Sequence, residues 1–155
     1  HMLFTKAEEG GQILSMTQTK EGWLLERTEL GRGREVSLHW GDIGAPYASY
    51  FLDGQRVAVR TPKNGWVNYG QPLTGAAVMT VAKGGSPHFL MVVDERPIKR
   101  LEWIRWTGRD WQRELVAADP NGFRAFTFTL DRNNCPHVLY QHSASRKTVY
   151  AHAKL

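Results

Sequence analysis

The sequence predicts an all-β repeat protein built from tandem four-stranded antiparallel units of roughly 45 residues. Three observations predict it: tryptophans at a near-constant interval, prolines in phase with them, and short alternating apolar runs ahead of each proline. Trp23, Trp66 and Trp111 each follow a Gly or Asp, and they lie 43 and 45 residues apart. Pro46, Pro87 and Pro136 each open an apolar run, at spacings of 41 and 49 residues. The two series keep step, since Trp66 lies 20 residues after Pro46 and Trp111 lies 24 after Pro87.

Each strand of the unit follows in order. The first is the alternating run: Val36, Leu38 and Trp40 share offsets with Ala77, Met79 and Val81, and with Phe126, Phe128 and Leu130. Period-two alternation over so short a length marks a strand with one buried face. A turn comes next, Lys83-Gly84-Gly85-Ser86 in one copy and Asp131-Arg132-Asn133-Asn134 in another, rich in residues that tolerate tight backbone geometry. The second strand starts at the proline, where a missing N–H costs no ladder bond. The third is Leu101 to Thr107, matched by Arg56 to Thr61 and Thr148 to Ala153. The fourth begins at the tryptophan, as in Trp111-Gln112-Arg113-Glu114-Leu115. Long helical periodicity is absent.

The composite pattern runs Leu130-Asp131, an Asn-rich turn, Pro136-His137-Val138-Leu139-Tyr140, a strand such as Trp103-Ile104-Arg105-Trp106-Thr107-Gly108, and then Trp111. It resembles the repeats of bacterial β-propeller proteins of the sialidase and lectin types. The resemblance implies four-stranded blades around a central channel. It does not fix an activity, because such folds host lectins, hydrolases and interaction scaffolds alike. The sequence departs from the sialidase branch: Thr107-Gly108-Arg109-Asp110-Trp111 lacks the spacing of that branch's Asp-containing turn, and no arginine triad can be assigned.

The units divide the chain into a partial blade over about 3–34, blades over about 35–75 and 76–120, and a partial blade over about 121–155. Propellers close with about four to eight blades. Exposed strand edges invite pairing with another chain. Self-association is therefore expected, a dimer giving about six blades; the alternative is a segment cut from a longer propeller. His1-Met2 reads as a remnant of expression, and no compartment is assigned.

Composition narrows the function classes. Apolar residues make up 41% of the 155, but no run is long enough to span a bilayer. Net charge is +5, from 20 Lys and Arg against 15 Asp and Glu. That excess is spread out: from Asp94 to Glu114, six basic residues interleave with five acidic ones. Nucleic acid is therefore not an expected partner. Cys135 is the single cysteine, which excludes an internal disulfide.

Candidate sites rest on aromatic and basic residues. Trp103 and Trp106 flank Arg105, and on a strand the two rings point to opposite faces. They read either as packing between blades or, with Arg105, Tyr140 and His142, as a ledge for a sugar ring or a protein side chain. Trp23, Trp66 and Trp111 recur with the repeat and read as blade packing. Tyr47, His88 and His137 share the position after the proline and read as structural rings.

Cys135, His137 and His142 fall short of the three or four convergent ligands of a zinc site, so no metal or other cofactor is expected. Ala45 and Ser86 hold the turn position of Cys135, which makes a small turn residue the simpler account than a nucleophile. Gly31-Arg32-Gly33-Arg34 could cradle a phosphate but lacks the Lys-Ser/Thr ending of a P-loop, and reads as a solvated linker. Arg96, Lys99 and Arg100 form a similar hairpin cluster. Glu8-Glu9 and Asp94-Glu95 are adjacent pairs without the facing geometry of acid–base catalysis, so no catalytic residue is assigned.

The expected function is accordingly a non-catalytic propeller module that binds a glycan or a protein surface. Its alternatives are a scaffold or sensor piece of a larger propeller, and part of a propeller hydrolase whose catalytic blades lie elsewhere.

Overall fold

A computed structural model describes residues 2–6, 11–41, 44–51, 55–61, 65–68 and 77–153. Among them there are fourteen strands and no helix. In chain order the strands are β1 (Met2–Lys6), β2 (Gln12–Thr19), β3 (Gly22–Arg32), β4 (Arg34–Trp40), β5 (Pro46–Phe51), β6 (Gln55–Thr61) and β7 (Gly65–Asn68). There follow β8 (Ala77–Val81), β9 (Pro87–Glu95), β10 (Ile98–Trp106), β11 (Trp111–Asp119), β12 (Phe123–Leu130), β13 (Pro136–His142) and β14 (Thr148–His152). They form four antiparallel meanders: β1-β2-β3, β4-β5-β6-β7, β8-β9-β10-β11 and β12-β13-β14. The alternating runs form β4, β8 and β12, the prolines open β5, β9 and β13, and Trp111 opens β11.

The turns between strands repeat as well. Ala82 N–H donates to Ser86 O at 2.8 Å, and Asp131 N–H donates to Cys135 O at 3.0 Å, closing the same loop in two copies. The left-handed position of this loop is Gly85 (φ 88°) in one copy and Asn134 (φ 63°) in the other. Glycine and asparagine are the residues that take this conformation at least cost. Cys135 is the closing residue of the second loop, its N–H bonded to Asp131 Oδ1 at 2.9 Å. At the next hairpin, Thr19 and Thr107 both turn their hydroxyls onto the loop, donating to Gly22 O (2.9 Å) and Asp110 O (3.1 Å).

The chain divides into two compact units, His1–Trp40 with Gly44–Thr74, and Gly41–Ile43 with Gly75–Leu155. In the first, Ile13 and Leu30 of the β1-β2-β3 sheet, with Leu3, pack against Ala48, Tyr50 and Val36 of the β4-β5-β6-β7 sheet. Gly33 lies where these sheets come closest. A Cβ there would stand 2.8 Å from Tyr50 Cδ2 and 3.0 Å from Ile13 Cδ1. Its N–H donates to Gly11 O at 2.9 Å. Within Gly31–Arg34 only Gly33 is tightly packed; Arg32 and Arg34 are exposed, as the solvated reading expects, and Arg34 lies over the Phe51 ring at 4.6 Å.

In the second unit, Leu90 and Leu101, with Val78 and Val92, pack against Val138 and Tyr140, with Phe126, Phe128, Val149 and Ala151. Alternation places each of these sets on one face of its sheet. The same arrangement holds in both units. Leu3 and Ile13 occupy the repeat positions of Leu90 and Leu101, and Ala48 and Tyr50 occupy those of Val138 and Tyr140.

Candidate functional site

The centre of β10 sets the site. Leu101, Trp103 and Arg105 alternate onto one face, and the register places Leu90 and His88 of β9 beside Trp103 and Arg105. On the other side, Glu114 and Gln112 of β11 lie opposite the same two residues. Trp103 is 2% exposed, with the Arg105 guanidinium 4.9 Å from its ring centroid and the His88 ring 5.4 Å away. Arg105 Nη2 also reaches Glu114 Oε1 at 3.1 Å, so the pair's charges offset each other.

A cleft of about 260 Å³ opens beside this cluster, between the two sheets of the second unit. Trp103, Glu114 and Val116 line one side; Pro136, Val138 and Ala151 line the other. Trp103 Nε1, Arg105 Nε and His88 Nδ1 are all buried and have no hydrogen-bond partner. Burial pushes the His88 pKa down to about 4, and the positive charge of Arg105 adds to the effect. The imidazole is therefore neutral at pH 7. A buried donor left unpaired costs about 1–3 kcal/mol, so three such atoms in one cluster mark a place where polar partners are missing.

The lining contains neither a nucleophile nor a pair of facing carboxylates. What it offers is N–H donors, one carboxylate and apolar walls. That is the equipment of a binding cleft.

The remaining candidates distribute differently. Trp106 is on the opposite face of β10 and packs on Trp111 at 5.3 Å, away from the Trp103–Arg105 pair. Tyr140 and His142 lie two and four residues along β13 from Val138, on the face that meets the other sheet. There they form a second cluster: the Tyr140 ring is 5.5 Å from Phe123 and 5.4 Å from His142. His142 Nδ1–H donates to Asp119 Oδ2 at 2.6 Å. This bond, followed by the Asn121 amide, holds the Asp119 carboxyl below the usual carboxylate range. So the five candidate residues form three groups, of which Trp103 with Arg105 borders the cleft.

The residues read as structural also separate. Trp111 packs on Phe89 at 5.8 Å, while Trp23 is 55% exposed and not packed as its recurrence predicts. The Trp66 side chain lies outside what the structure describes, as do Glu8 and Glu9. Tyr47 and His88 are buried, whereas His137 is half-buried and hydrogen-bonds Tyr150 Oη through Nδ1 at 2.6 Å. Arg100 of the hairpin cluster pairs with Glu95 at 3.2 Å and with Glu102 at 3.3 Å. Among the described residues no three His, Cys, Asp or Glu side chains converge.

Sequence reasoning missed Glu114 at the cleft and His88 against the Trp103 ring. Both follow from strand register, which no single strand's sequence displays. No protein-family model matches the chain, and no curated protein matches it either.

Proposed function

We propose that this chain is a non-catalytic binding module built from propeller-type blades, with the cleft beside Trp103 as its ligand site and an oxygen-rich ligand such as a glycan as its occupant. The observation that carries the reading is the unpartnered Trp103 Nε1 of a residue that lines the cleft, with two further unpartnered nitrogens, on Arg105 and His88, in the side chains packed against the Trp103 ring. A sugar hydroxyl both donates and accepts, so it can satisfy an indole N–H or a guanidinium N–H and return a proton to Glu114 or to the neutral imidazole. The apolar walls suit the C–H faces of a pyranose ring. Four-stranded meanders with the repeat spacing of this chain support the blade reading, and association between copies would bring such sheets to the number a closed ring needs.

Titration with neutral and acidic oligosaccharides, followed by tryptophan fluorescence and calorimetry, tests the site. A saturable response that Trp103→Phe abolishes is expected, because the substitution removes the N–H and keeps most of the ring. A flat response to every sugar class would overturn the glycan reading.

A further inference from the structure

We infer that the outward face of the β12-β13-β14 sheet docks on the outward face of the β1-β2-β3 sheet of a second copy of this chain. The inference rests on the blade reading above and names the surfaces through which copies would join.

One mode of packing between sheets occurs twice in the molecule. In each unit the earlier sheet contributes the face that bears the Leu90 and Leu101 positions, and the later sheet contributes the face that bears the Val138 and Tyr140 positions. The mode is directional: one kind of face meets the other kind. Among the described residues, two faces of these kinds carry exposed apolar side chains. On the β12-β13-β14 sheet it is the face of Thr127, Thr129, His137, Leu139, Tyr150 and His152, which are matched across the strands by register. On the β1-β2-β3 sheet it is the part of the face that bears Met16, Trp23 and Leu25; Leu14, on the same face, is buried. The first is of the Leu90 kind, since Leu139 holds the repeat position of Leu90; the second is its complement.

The chemistry of both faces is that of an interface. Leu139 is 46% exposed and Tyr150 59%, on a face whose six named residues include no Lys, Arg, Asp or Glu. Trp23 and Leu25 are each 55% exposed on the opposing face. Interface cores are depleted in charge and enriched in aromatic residues, and contiguous exposed apolar patches mark association sites. The rings of His137, Tyr150 and His152 cluster on this face, with centroids 5.9 to 6.1 Å apart.

A contact between two different faces is heterologous, so it must close into a ring or run on as a filament. Four sheets in each chain make eight in two. Eight is within the range at which propellers close.

Light scattering at tens of micromolar decides the matter. The wild type should run at twice its 17.6 kDa mass. Leu139→Glu and Leu25→Glu, both at exposed positions and checked by circular dichroism, should each be monomeric. Mixed together they should recover a dimer, because each supplies the intact face that the other lacks. A monomeric wild type would overturn the inference, as would failure of the mixture to dimerise. A monomer whose Trp23 is shielded from acrylamide would overturn it too, in favour of closure within one chain. The sugar response at Trp103 is read separately, so loss of association with that response intact leaves the ligand reading standing.

Discussion

His88 shows how a single residue carries both burial and function. It follows Pro87 at the start of β9, its ring 5.4 Å from Trp103. Burial first, and then the charge on Arg105, lower its pKa from 6.5 to about 4. In the unfolded chain it titrates near 6.5. Below that pH the unfolded chain takes up a proton that the folded one refuses. The unfolding free energy therefore falls as pH drops from about 6.5 to about 4, by a total on the order of 3 kcal/mol. His39, whose pKa burial also lowers, adds to the same slope. Urea midpoints measured across this range should flatten in His88→Gln; a slope equal to wild type would place the proton uptake elsewhere. At this scale the sequence was partly legible. Trp103 and Arg105 are two apart on a strand and must share a face, while Trp106 is three from Trp103 and must not. His88 and Glu114 join them only through register, and the separation of 23 positions between Asp119 and His142 gives no hint of their hydrogen bond.

Among the elements, the turns were the most legible, because their residue types report backbone conformation directly. The loop at Asp131 needs a left-handed residue, and Asn134 supplies it at φ 63°. Asn134 also joins two loops of one unit: its Oδ1 accepts from Lys83 N–H at 2.8 Å, and its Nδ2 donates to Lys83 O at 3.3 Å. Two separate effects thus meet in one side chain. Asn134→Ala loses both the tolerant conformation and the hydrogen bonds, and should cost about 2 kcal/mol. Asn134→Gly keeps the conformation and should cost about 1 kcal/mol. Chemical denaturation measures both; equal losses would mean that the backbone conformation has no share in the effect. The strands were legible through their alternation, which is why the runs at Val36, Ala77 and Phe126 locate β4, β8 and β12. Gly33 was misread because its composition resembles a linker. Only the neighbouring sheet reveals that Tyr50 and Ile13 leave no room for a side chain there.

For the whole molecule, the division into two units was not legible. Each repeat carries the same alternation, and nothing in a period states which neighbouring sheets share a core. Charge was legible in its distribution, though not in its pairing. The interleaved segment from Asp94 to Glu114 becomes a set of ion pairs: Arg100 with Glu95 across strands and with Glu102 along β10, Arg113 with Glu102 at 3.8 Å, and Arg105 with Glu114. Three of the six basic residues of this segment, Arg100, Arg105 and Arg113, are thus engaged by carboxylates of the same sheet. Binding to DNA scales with the number of phosphates neutralised, and its logarithm falls with the logarithm of salt at about 0.9 per contact. With a net charge of +5 spread over the chain, a labelled duplex should show weak anisotropy change at low salt and none at about 150 mM. Retention at that salt, with a slope near that of five or more contacts, would require a concentrated basic face and would return nucleic acid to the list of partners.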